Sequence, residues 1–500
     1  MVTNEKRTKY FLLAIIIFTL MLRLILAFSI SNFTYDSYFH LRQVEHITSH
    51  GLPLYDDPLS YGGRTLIFLP AFHYLSASLD LFLPLDLVAK LLPNILLSLI
   101  PFLIFIIAKQ ITKKNNPSLF AAFISAFIPI LFQTNSFTPL SLFLPLSLLA
   151  IYSLMKIREK KFNYIYIISI LILSLTSAAT ALLIIGTLFY LFLSKLEEKR
   201  TDKAELELAL FSLFLFIWTQ FLFFKRTLIT EGPSFIWQNV PPQIMNQYFP
   251  NISILNSLIL IGVIPFLIGL YTIYRSLFEQ KNKNVFLLLG LAISTAFLAI
   301  INFVEFRLAL MFFGLILAIF FAQAYTSFTP YLQKTHFTKI KRWTTVLPII
   351  ILILFIITSI IPSFTYALQQ QTPSDEDLKA FTWIKENTNP QATIITSLSE
   401  GHLLAYTSQR KNFMDTQFSL IKDIDERFSH LNSFFSTSYQ TQAISLFDRY
   451  NLHYLLVSPQ SKSIYNLELP PYIDQRCFEL LYSNTVHIYK VRCQLRPTKP

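Results

Sequence analysis

"NFTYDSYFHLR" (Asn32–Arg42) follows directly on a long apolar run and places a carboxylate, Asp36, a few residues past what reads as a membrane span. Tyr38, His40 and Arg42 follow within six residues, and Asp56 and Asp57 come soon after. Charge at the lip of a bilayer is costly unless it is solvated, paired or used. The competing reading is a solvated loop that happens to carry charge.

The wider composition supports a membrane setting. Of 500 residues, 53% are apolar and 14% are charged, whereas soluble domains carry about a quarter charged residues. Several apolar runs approach or exceed the roughly 18–20 residues that cross a hydrocarbon core. The net charge of +12 does not imply nucleic acid. The basic residues sit in short loops between apolar runs, as membrane topology requires, and no Lys/Arg-rich soluble module is present to enter a groove. The first 30 residues have an apolar stretch too long for a signal peptide and no small-residue cleavage site after it. They read as an uncleaved first span.

Six basic loops fix the topology: "EKRTK" (5–9), "KQITKK" (109–114), "KIREKK" (156–161), "KLEEKRTDK" (195–203), "RSLFEQKNK" (275–283) and "KTHFTKIKR" (334–342). Assigning all six to the cytoplasm puts spans near 10–30, 87–108, 118–133, 140–155, 205–224, 254–275, 284–302, 306–326 and 343–362. Residues 163–194 make two crossings that turn near "TSAAT" (176–180). The total is about 11 spans. Parity leaves no crossing for "LIFLPAFHYLSASLDLFLPL" (66–85), which reads as an interfacial helix.

The fold class is therefore a polytopic α-helical membrane protein, residues 1–365, with an extracytoplasmic α/β domain, residues 366–500. The N-terminus is expected in the cytoplasm. In the C-terminal domain, Ser374 and Asp377 form a helix start, and Pro390 ends that segment. "ATIITSL" (392–398), "YLLVSP" (454–459) and "VHIYKV" (486–491) read as strands, and "QTQAISLFDRYN" (440–451) as a helix. Cys477 and Cys493 both fall here, where a disulfide and two free thiols are both open readings.

Parity sends three segments to one face: loop 31–86, loop 225–253 and the C-terminal domain. His73 sits on a helix face directed at lipid headgroups. Glu231, in "LITEGP" (228–233), is offered by a turn, and a plain exposed position is the alternative. Glu305 and Arg307 stand at the outer mouth of a span, where an ionisable residue is a functional candidate. A snorkelling arginine or a simple Glu305–Arg307 pair is the alternative. Arg23 reads as a buried partner for a carboxylate. The triplets "NFT" (32–34) and "NIS" (251–253) are candidate glycan acceptors. Together these placements suggest an aqueous chamber in which an arginine neutralises a lipid phosphate and a carboxylate serves as base or metal ligand.

The residues resemble a family. "YDSYFHLRQVEHITSHGLPLYDDPLSYGGRTLIFLPAFHYLSASL" (35–79) resembles the first external loop of GT-C glycosyltransferases. It is most similar to the catalytic subunit of archaeal oligosaccharyltransferase and its relatives. "EFRLAL" (305–310), "LITEG" (228–232) and "FTWIKENTNPQATIITSLSEGHLLAYTSQRKNFMD" (381–415) resemble three further patches. The resemblance implies transfer of a sugar or oligosaccharide from a polyprenyl-phosphate carrier to a protein, lipid or glycan acceptor by inverting displacement at the outer membrane face. By the same resemblance Asp36 is the catalytic carboxylate, Arg307 binds the lipid phosphate, and Glu231 helps hold the acceptor. His73 and Arg42 are further phosphate candidates. Glu400, His402 and Tyr406 are candidates for acceptor contact, and His40, Asp56, Asp57 and Glu305 are additional site candidates.

Two departures stand out. Where the family carries paired acidic metal ligands, "QTNSFTPLSLF" (133–143) has no Asp, Glu or His. A divalent cation (Mg or Mn) on Asp36 stays open. Where the family has a Trp-Trp-Asp-Tyr-Gly block, this chain has "SLSEGHLL" (397–404). The rival readings are a transporter or flippase of lipid-linked sugars and a catalytically inactive scaffold of the same fold.

Overall fold

The computed structural model describes residues 2–199, 201–250, 253–279, 282–334 and 350–495. Most of the basic loop 334–342, part of the loop 275–283, part of the "NIS" triplet and the start of the expected span 343–362 lie outside the described residues.

The apolar runs become helices because, in hydrocarbon, a helix alone pairs every backbone group within one segment. Helix α1 (Val2–Ser29) is followed by α2 (Ser37–His50), a hairpin of β1 (Asp56–Asp57) and β2 (Arg64–Thr65), and α3 (Ala71–Asp80). With ten residues α3 rises about 15 Å, half a hydrocarbon core. Helices α4 (Leu85–Ser98) and α5 (Ile100–Thr112) then run as one 28-residue path, in place of the span expected at 87–108. Next come α6 (Asn115–Ser125), α7 (Leu140–Met155), α8 (Lys160–Ser174), α9 (Ala181–Leu196) and α10 (Lys203–Glu231). The break between α8 and α9 covers the turn expected near 176–180. After α11 (Met245–Tyr248) come α12 (Ile254–Ile261), α13 (Val263–Glu279), α14 (Lys283–Ile300), α15 (Phe306–Lys334) and α16 (Ile350–Leu368). Among the described residues seven helices are long and apolar enough to cross a membrane, or eight if the bent pair α12–α13 counts as one. The shorter α6, α7 and α8 occupy the remaining expected positions.

Three expectations are corrected. The span expected at 254–275 is broken: the path bends by 113° between α12 and α13. Gly262 makes this possible with φ +99°, and a Cβ there would fall 2.4 Å from Ser359 Oγ, so only glycine fits. The loop expected from 225 begins later, because α10 stays helical through Glu231. Arg23 is buried but meets no carboxylate among the described residues. It donates to Asn94 Oδ1 (3.2 Å) and the Leu131 carbonyl (2.9 Å) and lies over the Phe132 ring. Asn32, the acceptor position of the "NFT" triplet, is engaged, its amide donating to the Pro373 carbonyl (2.9 Å) and Asp375 Oδ1 (2.8 Å).

Beyond α16 the chain forms a five-stranded sheet in the order β4-β3-β5-β7-β6: β4 (Lys411–Asn412), β3 (Thr393–Ile395), β5 (Tyr454–Val457), β7 (His487–Val491) and β6 (Phe478–Ser483). β3 runs parallel to both β4 and β5, and β7 runs antiparallel to β5 and β6. Helix α17 (Asp375–Asn387) starts in a capping box, with Asp377 N–H donating to Ser374 Oγ (3.1 Å) and Ser374 N–H to Asp377 Oδ2 (2.8 Å). Helices α18 (Ile424–Ser436), α19 (Gln440–Arg449) and α20 (Pro459–Tyr465) complete the layer. Cys477 and Cys493 are joined by a disulfide.

Helix α2 joins the two parts. Its sequence repeats apolar residues at helical spacing, and the buried Tyr38, Leu41, Val44 and Ile47 share one apolar cluster with Phe381, Ile384, Ile394 and Leu456 of the C-terminal part.

Candidate active site

Asp36 occupies the N-cap of α2. The turn before it is pinned from both sides: Thr34 N–H donates to the Asn135 carbonyl (3.1 Å), and Phe137 N–H donates to Ser37 Oγ (2.9 Å). The carboxylate is exposed and has no hydrogen bond or ion pair among the described residues.

Arg307 lies in the first turn of α15, exposed and likewise without a hydrogen bond or ion pair among the described residues. Glu305 precedes that helix. It is exposed, and desolvation by the protein around it pushes its carboxyl up to about 7. Asp36 adds to that shift and Arg307 opposes it, so all three share one electrostatic neighbourhood. The phenol of Tyr248 feels Asp36, Glu305 and a third acid, Asp415.

Asp415 belongs to a strap, residues 411–421, that ties the C-terminal domain to both loops. Asn412 exchanges backbone hydrogen bonds with Leu59 (2.8 Å) and Tyr61 (3.0 Å). Asp415 holds Arg64 of the β1–β2 hairpin in a two-pronged ion pair at 2.5 and 2.6 Å, with the two side chains 2% and 5% exposed. It also accepts from Asn412 Nδ2 and Gln417 N–H, both at 2.9 Å. Despite burial, Arg64 holds the Asp415 carboxyl far below the usual carboxylate range. Gly401 makes the strap's approach possible, since a Cβ there would lie 2.4 Å from the Met414 carbonyl. Further along, Leu420 N–H donates to Glu231 Oε1 (2.5 Å), Asn239 Nδ2 to the Phe418 carbonyl (3.3 Å), and Tyr248 packs edge-on against Phe418.

Beneath the strap lie three histidines. His40 Nδ1 and His73 Nε2 are 2.8 Å apart, and the His402 ring lies 5.1 Å from that of Phe39. Burial drives the pKa of each down, that of His73 to about 3. All three are therefore neutral near pH 7, and His73 offers a phosphate no positive charge.

The remaining candidates are committed elsewhere. Arg42 is held by Asp57 (2.6 and 3.2 Å), which also accepts from Ser60 Oγ and Leu59 N–H. Burial would raise the Asp57 carboxyl, but Arg42 and these donors keep it low. Asp56 accepts from Thr65 Oγ1 (3.1 Å) at the surface. Glu400 is 1% exposed and closes a capping box on Ser397. Tyr406 packs its ring 5.8 Å from Tyr38. His402 Nε2 lies 3.7 Å from Asp415 Oδ1. Among the described residues no three His, Cys, Asp or Glu side chains form a metal-holding group, so the residues around Asp36 do not make a closed ligand set.

Sequence reasoning missed Asp415, Arg64 and Tyr248. Their roles depend on pairings across 351 residues (Arg64–Asp415) and on the strap's course, which leaves no local signal. The nearest local feature is Gly62-Gly63, whose φ of +77° and +67° turn the chain directly before Arg64.

Residues 70–220 match the family model described as dolichyl-phosphate-mannose-protein mannosyltransferase. No curated protein matches the chain by sequence. Among solved structures, the chain is similar to the archaeal oligosaccharyltransferase AglB from Archaeoglobus fulgidus in complex with an inhibitory peptide and a dolichol-phosphate. That match has a TM-score of 0.66 at 15% identity and covers 90% of this chain and 69% of that one. A complex of the Archaeoglobus fulgidus oligosaccharyltransferase with Zn and sulfate aligns with a TM-score of 0.61 at 15% identity, covering 92% and 71%. ArnT from Cupriavidus metallidurans bound to undecaprenyl phosphate aligns with a TM-score of 0.54 at 10% identity, covering 96% and 97%. The chain has the fold of the GT-C membrane glycosyltransferases.

Proposed function

We propose that the chain is a membrane glycosyltransferase that takes a sugar or oligosaccharide from a polyprenyl-phosphate carrier and transfers it to a protein, lipid or glycan acceptor. The observation that carries this reading is the pair of exposed, uncommitted groups, Asp36 at the start of α2 and Arg307 at the start of α15, both acting electrostatically on Glu305. An unpaired guanidinium at a helix mouth suits a phosphate arriving on a lipid. An unpaired carboxylate near it suits a proton acceptor. The similar structures carry dolichol-phosphate and a peptide, or undecaprenyl phosphate, which supports this donor class.

In the mechanism, Asp36 takes the proton from the acceptor O–H or N–H. The acceptor atom bonds to the sugar's anomeric carbon as the bond from that carbon to the phosphate oxygen breaks. Arg307 neutralises the charge growing on the departing polyprenyl phosphate. Attack opposite the leaving group inverts the anomeric centre. Glu231, bound through one oxygen to Leu420 N–H, has a second, enclosed oxygen without a partner, and it is the candidate to hold the acceptor. The basic loops at the other ends of the helices and the Cys477–Cys493 bridge support an extracytoplasmic site.

The experiment is incubation of the purified protein with labelled polyprenyl-phosphate sugars and mixed peptide and lipid acceptors, with and without chelator. Transfer that Asp36→Ala abolishes without unfolding the protein supports the enzyme. Movement of lipid-linked sugar across a vesicle membrane without transfer supports a flippase instead. Loss of transfer on chelation means that the reaction needs a metal whose ligands lie beyond Asp36.

A further inference from the structure

Helix α2 closes on two histidines one turn apart. His46 and His50 are spaced i,i+4, so their side chains stand on one face of the helix. The rings lie nearly parallel, with centres 4.3 Å apart and planes 13° apart. His50 is exposed and His46 partly so. Such a pair is often no more than a solvated helix face. Here the hydrogen bonds around it fix both rings in the same tautomer.

His46 Nδ1 lies 2.8 Å from the Leu52 carbonyl. A carbonyl only accepts, so Nδ1 carries the proton. Ser49 Oγ lies 2.8 Å from the Glu45 carbonyl and 2.7 Å from His50 Nδ1. The single hydroxyl hydrogen goes to that carbonyl, so the Ser49 oxygen accepts from His50 Nδ1–H. The His46 carbonyl, 3.3 Å from the same nitrogen, is a second acceptor. In both neutral rings the free lone pair therefore sits on Nε2, and neither Nε2 has a hydrogen bond among the described residues. Metal-bound histidines show this arrangement, one nitrogen free for the ion and the other donating to a carbonyl or similar acceptor.

The surroundings suit a cation. The pair ends α2 at its C-cap, Gly51, where the negative end of the helix dipole lies. The sequence between Arg42 and Arg64 holds no Lys or Arg. Arg42, one turn before His46, is paired with Asp57 at 2.6 Å. The segment after the helix is folded back onto it, with Leu54 N–H donating to Gln43 Oε1 (3.0 Å) and Gln43 Nε2 to the Leu54 carbonyl (3.3 Å).

We propose that His46 and His50 together bind one divalent transition-metal ion, Zn²⁺ or Cu²⁺, through their Nε2 atoms. Imidazole nitrogen suits these ions, whereas Mg²⁺ prefers oxygen ligands. Two protein ligands leave an open site whose shell water completes. Nitrogen–metal distances of about 2.0–2.1 Å require the stacked rings to tilt toward each other, which side chains at the surface are free to do. The site lies about 15–21 Å along α2 from Asp36, so its ion braces the helix that carries Asp36 and takes no part in the transfer.

The test is isothermal titration calorimetry of the full-length protein in detergent, its purification tag removed, with ZnCl₂, CuCl₂ or MgCl₂. Wild type should bind one Zn²⁺ or one Cu²⁺ and no Mg²⁺ at this site. His46→Ala and His50→Ala should each weaken Zn²⁺ binding roughly 100-fold, the loss of a two-point attachment. His453→Ala, an exposed histidine of the C-terminal domain, should leave it unchanged. The Cu²⁺ electron paramagnetic resonance spectrum should show coupling to two nitrogens in wild type and to one in either single variant. Both positions are at the surface, so the variants keep the fold. Absence of Zn²⁺ and Cu²⁺ binding, equal binding of Mg²⁺, or a Zn²⁺ site that survives in His46→Ala/His50→Ala overturns the proposal.

Discussion

Replacing Arg64 by leucine removes the cation that holds Asp415. The pair is nearly dry, with side chains 5% and 2% exposed. Taking away one partner of a buried ion pair typically costs about 3–5 kcal/mol, because the other charge is stranded. Asp415 keeps the Asn412 and Gln417 donors at 2.9 Å, so the lower end, about 3 kcal/mol, is expected. The cost falls on docking of strap 411–421 onto the first loop. It should therefore appear as roughly 100-fold faster amide exchange across the strap at about 1.4 kcal/mol per decade. Arg64 also opposes protonation of His402, whose Nε2 lies 3.7 Å from Asp415. Without Arg64, falling pH should charge His402 and recover part of the protection. Arg64→Leu/Asp415→Leu should recover more, since no charge is left stranded. Hydrogen exchange of the purified protein reads all three variants. A change below about threefold in Arg64→Leu, under 1 kcal/mol, refutes the role given to this pair.

Three further predictions follow from buried groups. Burial pushes the Glu400 carboxyl from 4.5 to about 7, so its protonated form favours the fold. Stability from this residue is full below about pH 4.5 and is lost as pH rises to about 7, by about 3 kcal/mol. Glu400→Gln should flatten that slope in a thermal-unfolding series across pH. Gly401→Ala places a methyl 2.4 Å from the Met414 carbonyl and 2.6 Å from Asp415 Cβ, and should cost about 1–3 kcal/mol, read as a lower melting temperature. Cys477→Ser/Cys493→Ser opens a link 16 residues apart in sequence and should cost roughly 2–5 kcal/mol by denaturant unfolding of the C-terminal domain.

Much of the fold was legible because hydrocarbon leaves few choices. The long apolar runs, the Ser374–Asp377 helix start and the strands within 392–398, 454–459 and 486–491 all carried local signals that tertiary contacts did not override. The break at Gly262 was not legible. There Gly262 takes φ +99° and packs against Ser359, nearly a hundred residues away, so that only glycine fits. Arg23 attracted an expected carboxylate and instead found an amide, a carbonyl and a ring, partners that sequence charge cannot reveal. In the site, Asp36, Glu305 and Arg307 were legible as charges at span ends. Asp415 and Tyr248 were not, because their partners, Arg64 and Phe418, lie far away in sequence.

The most direct measurement is affinity for a polyprenyl phosphate in wild type, Arg307→Ala and Asp36→Asn, alongside sugar transfer. Arg307→Ala should bind at least about tenfold more weakly, as expected for losing a charge-assisted contact. Asp36→Asn should bind like wild type and transfer nothing. Wild-type affinity in Arg307→Ala, or full transfer in Asp36→Asn, contradicts the account.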